Sequence, residues 1–216
     1  MKHLLYKELT LSLHPTAPLF LLLSAMLIIP NYPYYVVFFY TGLAVFFTCL
    51  NGRENHDVAY SVRLPVAKRD IVRARFAFVV LLEAAQLLCA VPFALLRQSM
   101  PVPRNQVGMG ANLTLFGLSL VLLGLFNLIF FTIYYHRDVN QVGKAFGWAT
   151  VGVSLYMVVA ETADHAVPYI RNTLDTNEPL FLAPKLAVLA GGLLIYALCT
   201  AVAYRRSVRS FEALDL

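Results

Sequence analysis

Long apolar segments alternate with short polar stretches along the whole chain. Six such segments occur, and all but one contain no Asp, Glu, Lys or Arg; the exception contains Glu83. A helix needs about 20 apolar residues to cross the hydrocarbon core of a bilayer. The pattern predicts an all-α, polytopic membrane protein in which residues 1–216 form a single transmembrane domain. The six predicted transmembrane helices are residues 16–29, 34–50, 76–96, 113–135, 145–160 and 186–204.

The chain before the first predicted helix has a different pattern. Residues 1–14 mix leucines with lysine and glutamate, which predicts an amphipathic segment at the membrane surface. Residues 16–29 would form a helix of only about 21 Å. We therefore expect this helix to continue back through Leu13 and Leu9, with a kink at Pro15.

Composition agrees with a lipid environment. Hydrophobic residues make up 59% of the chain and charged residues 13%, whereas a soluble domain carries about 25% charged residues. The three cysteines lie inside apolar segments without a CxxC spacing, which argues against a metal site or a disulfide. The net charge of +5 comes from short loops rather than from a basic stripe on a soluble fold, so we expect no nucleic-acid partner.

The distribution of lysine and arginine predicts the orientation. With the N-terminus inside, 13 of these residues lie on the inner side and three on the outer side, with Lys185 at a boundary. Basic residues concentrate in cytoplasmic loops of membrane proteins. The sequence therefore predicts that both termini and the most basic loop, residues 51–75, are cytoplasmic.

This loop contains signals for two helices. Asp57 can cap a short helix that runs to about Leu64, and Val58 and Val62 lie one turn apart on the same side of it. Pro65 ends this helix, because the residue before a proline is pushed out of the α region. We expect a short helix across the inner end of two transmembrane helices.

A second helix is predicted to begin near Lys68 and to continue into the membrane. Asp70 lies near its start, where a negative charge favours the helix dipole. Arg73 and Arg75 follow, and we expect both at the depth of the lipid headgroups.

The loop has two interpretations on spacing alone. It could be a solvated basic loop that binds headgroups, or it could be a short helix that a partner grips. In the second case Val58, Val62 and Leu64 would be apolar anchors in the contact. The residues that would surround these anchors with charge are Arg63, Lys68 and Arg69.

Short motifs add a resemblance to a known family. They are Leu64-Pro65-Val66, Lys68-Arg69-Asp70-Ile71-Val72, Arg75-Phe76 and the opening Leu4-Leu5-Tyr6-Lys7-Glu8-Leu9. On these residues the chain resembles ABC-2-type transporter permeases, specifically the small six-span group that includes the phenol-soluble modulin exporter permeases. It departs from that group at Ala67, where family members usually have a hydroxyl residue at the start of the second helix.

The resemblance implies a function and partners. It implies a dimer of permease chains in the bacterial plasma membrane, with residues 57–70 as the coupling helix that docks on a separate ATPase. It also implies export of amphipathic peptides. The chain has no GxxxxGK[ST] phosphate loop, so ATP and Mg²⁺ would be bound by the partner chain and this chain would not be an enzyme.

Three polar residues lie deep in predicted helices. Glu83 and Gln86 are three residues apart and share a helix face, and Asn127 lies in the fourth helix. Buried polar groups in bilayers face the bundle or a water-filled cavity. They could line a substrate path or a subunit interface, or Glu83 could pair with Lys144 or Arg205.

Small residues and a second polar set give weaker signals. Gly117 and Gly124, with Asn127, predict contact between helices, as does the Gly143-xxx-Gly147 spacing. The spacing of Glu161, Asp164 and His165 would also suit a metal site, although acids at this position also fit the water boundary. His136-Arg137-Asp138 could be a second ATPase contact or a solvated loop. Two other functions stay open, namely a membrane anchor or immunity protein without transport, and an integral-membrane enzyme.

Overall fold

The computed structural model describes residues 2–136, 139, 141–176 and 178–214 of the chain. Its regular elements in these residues are all helical, which agrees with the predicted all-α class. The α-helices are α1 Lys2–Lys7, α2 Ala17–Leu22, α3 Tyr35–Glu54, α4 Asp57–Val62, α5 Lys68–Ser99, α6 Leu113–Tyr134, α7 Val142–Ala166 and α8 Leu182–Glu212.

Five of these helices, α3 and α5 to α8, are long and apolar enough to cross a membrane. They contain the second to sixth predicted transmembrane segments. A chain with five such helices buries its apolar side chains in lipid rather than in a soluble core. The protein is therefore a multi-pass membrane protein.

The first predicted segment is shorter than the others. α2 continues as a 3-10 helix, Leu23–Ile28, and together they span about 21 Å against a hydrocarbon thickness of about 30 Å. The helix does not continue back through Leu13, where the backbone is extended with ψ 119°. The expected single kinked helix is therefore wrong, and the sixth crossing stays a prediction.

Contacts of this segment nevertheless connect both ends of the bundle. Ser12, before α2, lies 3.4 Å from a carboxylate oxygen of Asp57 in α4. Asn31, after the 3-10 helix, accepts a hydrogen bond from the backbone N–H of Gln106 in the loop between α5 and α6. The end of the bundle that carries α4 is called the α4 end below, and the opposite end is called the far end.

Helix α6 is the centre of the bundle and contacts α3, α7 and α8. Its glycines allow backbone contact with α8. A Cβ atom on Gly117 would lie 2.8 Å from Leu189 Cα, and one on Gly124 would lie 2.9 Å from Tyr196 Cα. Since real Cβ atoms do not approach so closely, larger residues would separate the helices. The predicted role of both glycines in helix contact is confirmed.

The other predicted glycine pair behaves differently. A Cβ atom on Gly143 or Gly147 would have no neighbour within 4 Å. Trp148, Val151 and Leu155 on the same helix are also exposed. The pair therefore does not pack against another helix of this chain, its role in helix contact stays a prediction, and α7 presents an open face.

The N-terminal segment is helical as predicted, but it also belongs to the protein core. Helix α1 contacts α5, and Leu4 is buried whereas Tyr6 and Leu9 are exposed. The side chain of Lys68, at the start of α5, donates to the carbonyl of Leu214 near the C-terminus. The α4 end therefore gathers α1, α4, the start of α5 and the end of α8.

Candidate coupling site and buried polar clusters

The two helices expected in the most basic loop are present. Helix α4 covers Asp57–Val62, and α5 begins at Lys68 with Asp70 in its first turn. Pro65 lies between them, in agreement with its predicted role as a helix terminator. The loop between α3 and α5, residues 55–67, is called the α4 loop below.

Asp57 does not cap α4 as expected. The capping position is His56, whose backbone is left-handed with φ 50°, and no side chain bonds to the cap. Asp57 is instead the first residue of the helix. Its carboxylate is occupied elsewhere, because Lys7 Nζ donates to Oδ1 at 2.6 Å and Arg75 Nη2 donates to Oδ2 at 2.7 Å.

Glu8 completes a cluster of four charges. Its Oε2 lies 2.8 Å from Arg75 Nε, and its Oε1 lies 3.3 Å from Lys7 Nζ. The side chains of Glu8 and Arg75 are 1% and 4% exposed. The two positive and two negative charges cancel. The four side chains can therefore be buried together, whereas an unpaired charge could not stay buried. Lys7, Glu8, Asp57 and Arg75 are called the four-charge cluster below.

The cluster corrects one prediction and adds one residue. Arg75 was expected at headgroup depth, but its guanidinium lies inside the protein, where it also contacts Cys49 Sγ at 3.8 Å. Glu8 was not among the predicted site residues. Its only signal in the sequence is the charged Lys7-Glu8 pair inside the amphipathic opening, which does not reveal a partner in α5.

The α4 loop has an inner and an outer face. Val58 and Val62 are half-buried and pack against the core of the chain itself. Tyr60 is 63% exposed, and Arg63 and Arg69 are exposed as well. The exposed surface in this region therefore includes an aromatic ring and guanidinium groups, and Tyr60 was not among the residues predicted from the sequence.

The remaining predicted coupling residues, at the end of the α4 loop and the start of α5, differ in their exposure. Leu64 and Lys68 are half-buried, and Pro65 is exposed. Lys68 directs its ammonium group to the Leu214 carbonyl, which connects the start of α5 to the C-terminal end of α8. The ammonium group of Lys68 is therefore partly occupied within the chain, whereas Arg69 is exposed.

Glu83 is buried between three helices. Tyr196 Oη of α8 donates to Glu83 Oε2 at 2.6 Å, and Asn127 Nδ2 of α6 donates to the same oxygen at 3.1 Å. Asn127 Nδ2 also lies 3.3 Å from Thr200 Oγ1. The structure thus joins two of the three predicted polar residues, Glu83 and Asn127, in one hydrogen-bonded cluster.

The alternative of an ion pair at Glu83 is not what the structure shows. Its partners are the neutral groups of Tyr196 and Asn127, and the ion pairs among the described residues involve neither Lys144 nor Arg205.

Gln86 is separate from this cluster although it is also buried. Its Nε2 donates to Ser24 Oγ at 2.9 Å and lies 3.4 Å from the Val37 carbonyl. It therefore fastens α5 to the first apolar segment and to α3. The spacing suggested that Glu83 and Gln86 share a helix face, but the two side chains contact different neighbours.

A polar cluster at the far end holds the loops together. Arg104 Nη2 lies 2.5 Å from Asp175 Oδ2 and 3.5 Å from Asp164 Oδ1. Asp175 Oδ1 accepts hydrogen bonds from the backbone N–H of Gly110 at 2.7 Å and from Asn112 Nδ2 at 2.8 Å. Burial raises the pKa of Asp175 to about 6, although the hydrogen bond from Gly110 and the charge of Arg104 oppose the shift.

The proposed metal residues have separate partners in this region. Glu161 Oε2 accepts from the backbone N–H of Met109, and the His165 ring lies within 3.1 Å of the Gln106 carbonyl. Asp164 pairs with Arg104. In the part of the chain that the structure describes, no three His, Cys, Asp or Glu residues are placed to hold a metal ion. These side chains fix the α5–α6 loop to α7.

Comparison with known proteins gives one match. A family model described as ABC-2 family transporter protein matches residues 3–212, which include α2 to α8 and most of α1. The chain belongs to the ABC-2 transporter family. No curated protein and no solved structure matches significantly.

Membership of the ABC-2 family accounts for the coarse function. Such a chain is the membrane-spanning permease part of an ABC transporter, and the family in general implies a separate ATPase subunit. The predicted second ATPase contact, His136-Arg137-Asp138, lies partly outside the described residues, because only His136 is described.

Proposed function

We propose that this ABC-2 protein is the transmembrane subunit of an ATP-driven exporter and that its α4 loop docks on the separate ATPase subunit. The observation that supports this proposal best is the four-charge cluster. Asp57, the first residue of α4, is bound by Lys7 before the first apolar segment and by Arg75 in α5. A partner that moves α4 would therefore move two membrane segments with it.

The path from the α4 loop into the membrane is continuous. Helix α5 is 32 residues long and begins directly after the α4 loop. Glu83 lies about 22 Å along this helix from Lys68. Because Glu83 is bonded to α6 and α8, a displacement of α5 reaches the centre of the bundle. This arrangement suits a subunit that changes shape when its partner hydrolyses ATP.

The outer face of the α4 loop suits a protein partner. Tyrosine and arginine carry much of the binding energy in protein interfaces. Tyr60 is exposed in α4, and Arg63, three residues further on, and Arg69, in the first turn of α5, are also exposed. ATP and Mg²⁺ would be bound by the ATPase, because this sequence contains no phosphate loop.

The proposal includes a dimer and a class of substrate. The open face of α7, with Gly143 and Gly147, has the small residues that allow two membrane helices to approach closely, which supports contact with a second permease chain. Export of amphipathic peptides follows from the resemblance to the phenol-soluble modulin exporter permeases.

Tyr60→Ala tests the docking surface. Loss of an aromatic anchor costs about 2 kcal/mol or more, which is about 30-fold in affinity. We expect at least that loss of affinity for the ATPase subunit, measured with the purified permease in nanodiscs. Tyr6→Ala is the matched control, because Tyr6 is 69% exposed at the same end but lies outside the α4 loop. Val62→Asp is less suitable, since Val62 packs against the core of the chain.

A substitution of Arg69 tests the charged edge of the proposed docking surface. Arg69→Ala should weaken binding less than Tyr60→Ala, and the difference from wild type should shrink at high salt. If Tyr60→Ala and Tyr6→Ala bind the ATPase equally well, the α4 loop is not the docking surface. If no ATPase copurifies from the native host, a membrane anchor or immunity protein becomes the better function.

A further inference from the structure

A groove between α5 and α8 opens on the outer surface of the bundle. Its volume is about 790 Å³. Apolar and aromatic side chains form its walls, and a guanidinium group lies at its α4 end. The residues that matter here are Arg73, Phe76 and Leu81 of α5 with Tyr196, Thr200 and Tyr204 of α8.

The length of the groove fits one leaflet of a bilayer. From Arg73 to Leu81 the helix rises about 12 Å. One leaflet contributes about half of the 30 Å hydrocarbon thickness. The two helices run antiparallel, because Phe76 contacts Tyr204 while Tyr196 reaches Glu83 further along α5. The groove therefore runs from the α4 end toward the middle of the membrane.

The walls are held in place by contacts behind them. The Phe76 ring lies 4.6 Å from the Phe131 ring and 5.5 Å from the Tyr204 ring, measured between centroids. The Tyr196 hydroxyl is fixed by its hydrogen bond to Glu83. These contacts oppose closure of the groove by a change of side-chain rotamer, so its shape is preformed.

Positive charge is concentrated at the mouth of the groove. Arg73 lines it, Arg69 lies one turn earlier on α5, and Arg205 lies one turn beyond Ala201, another lining residue on α8. All three arginines are exposed. The ion pairs within the described residues include none of them, although Asp70 is adjacent in sequence to Arg69. An anion would balance this charge.

We propose that the groove binds an anionic phospholipid. Its acyl chain would lie along the apolar walls, and its phosphate would contact Arg73, with Arg69 and Arg205 close by. A guanidinium group binds phosphate through two parallel hydrogen bonds, and basic pockets between membrane helices are known sites for anionic headgroups. A neutral lipid would leave the three cations unbalanced.

The walls of the groove are separate from the proposed docking and dimer surfaces, and Arg69, which does not line the groove, is the residue that its mouth shares with the edge of the docking surface. No residue of the α4 loop or of α7 lines the groove. Its deep wall includes Tyr196 and Thr200, which bond to Glu83 and Asn127 respectively. A bound lipid would therefore restrain the side chains that hold the buried cluster in place.

A tryptophan reporter can test the proposal without an ATPase or a transport substrate. The chain has one tryptophan, Trp148, on the exposed face of α7. Leu81→Trp in a Trp148→Phe background places the reporter in the groove, and Leu88→Trp in the same background is the control, because Leu88 is exposed on α5 and does not line the groove. Nanodiscs would contain brominated phosphatidylglycerol or brominated phosphatidylcholine, because bromine quenches tryptophan on contact.

We expect the groove reporter to be quenched about fivefold more strongly by the brominated anionic lipid, and the Leu88→Trp reporter to be quenched equally by both lipids. Adding Arg73→Gln and Arg205→Gln should make the two brominated lipids quench the groove reporter almost equally. Arg206→Gln is the matched control, because Arg206 is exposed on the same helix but one position away from the groove face. It should leave the preference intact.

Three results would overturn the proposal. Equal quenching of the groove reporter by both lipids would show that the arginines select no headgroup. Protection from both lipids would show that a second copy or a peptide covers the groove. Loss of the preference on addition of soluble glycerol phosphate would show that phosphate binds there without an acyl chain.

Discussion

Charged and polar side chains inside this protein are held by specific partners. The side chains of Glu8 and Arg75 are almost fully buried and lie against each other, while Lys7 and Asp57 close the cluster toward the surface. Because the two positive charges cancel the two negative ones, the effect of a substitution on stability depends on whether the net charge of the cluster stays at zero. This property separates the cluster from ordinary surface ion pairs, which contribute little to stability.

Arg75→Gln should destabilise the protein strongly. It leaves two carboxylates with one cation in a buried site, and breaking a buried pair in this way costs about 3–5 kcal/mol. Thermal unfolding of the detergent-solubilised protein would measure the loss. The double variant Glu8→Gln/Arg75→Gln restores neutrality and should recover part of it. Equal stability of the single and double variants would show that the two charges do not interact.

For the stability of the protein, the ability of Glu83 to accept hydrogen bonds should matter more than its charge. Glu83→Leu leaves the Tyr196 hydroxyl and the Asn127 amide without this acceptor, which should cost about 1–2 kcal/mol. Glu83→Gln keeps an acceptor oxygen and should unfold closer to wild type. Leu88→Ala on the exposed face of α5 controls for changes to that helix. Wild-type stability of Glu83→Leu would contradict the importance of these bonds.

Among the helices, α6 and α7 use glycine in opposite ways. The glycines of α6 meet the backbone of α8 inside the chain, whereas Gly143 and Gly147 of α7 face open space. Both helices carry glycines among apolar residues, so composition alone does not distinguish them. The difference lies in whether another helix of the chain packs against the glycines.

Substitution of these glycines by leucine separates the two roles. Gly147→Leu should leave the monomer stable, because nothing lies within 4 Å of the added Cβ, but it should weaken a dimer formed through α7. Gly117→Leu should destabilise the monomer itself, since its Cβ would clash with the backbone of α8. Single-molecule photobleaching in liposomes would measure the dimer. An unchanged dimer in Gly147→Leu would exclude this face of α7.

For the whole molecule, the structure shows which loops share an end. Residues 31–32 and 100–112 meet at the far end, together with the end of α7. The N-terminal segment, the α4 loop and the C-terminal end of α8 meet at the other end. This grouping is the one that the distribution of lysine and arginine requires, and it leaves the side of the membrane to be measured.

The positive-inside rule predicts that the α4 end is cytoplasmic. In a variant without the native cysteines, Tyr60→Cys should resist a membrane-impermeant thiol reagent in intact cells. Gln106→Cys, at an exposed position of the far end, should react. Disruption of the cells should make position 60 reactive. Labelling of position 60 from outside would reverse the orientation and remove the α4 loop from the ATPase side.

The sequence by itself determined the features that depend on neighbours along the chain. Apolar segments of sufficient length specify the five long helices, because a backbone in lipid must satisfy its own hydrogen bonds. Pro65 separates α4 from α5 through a local steric effect. Short motifs near Leu64 and Lys68 were enough to indicate the family that the match to residues 3–212 then showed.

Only the tertiary structure decided the partners of the buried polar groups. Glu83 bonds to Tyr196, which is 113 residues away, and Asp57 bonds to Lys7, which is 50 residues away. A helix face predicts that a polar side chain is buried, but several neighbouring helices could each supply its partner. The choice among them depends on how closely the helices approach, and here that depends on contacts such as Gly117 against Leu189. The tertiary structure also decided where the N-terminal helix is interrupted, at Leu13, and that Tyr60 is exposed. Packing against the bundle determines which residues remain exposed.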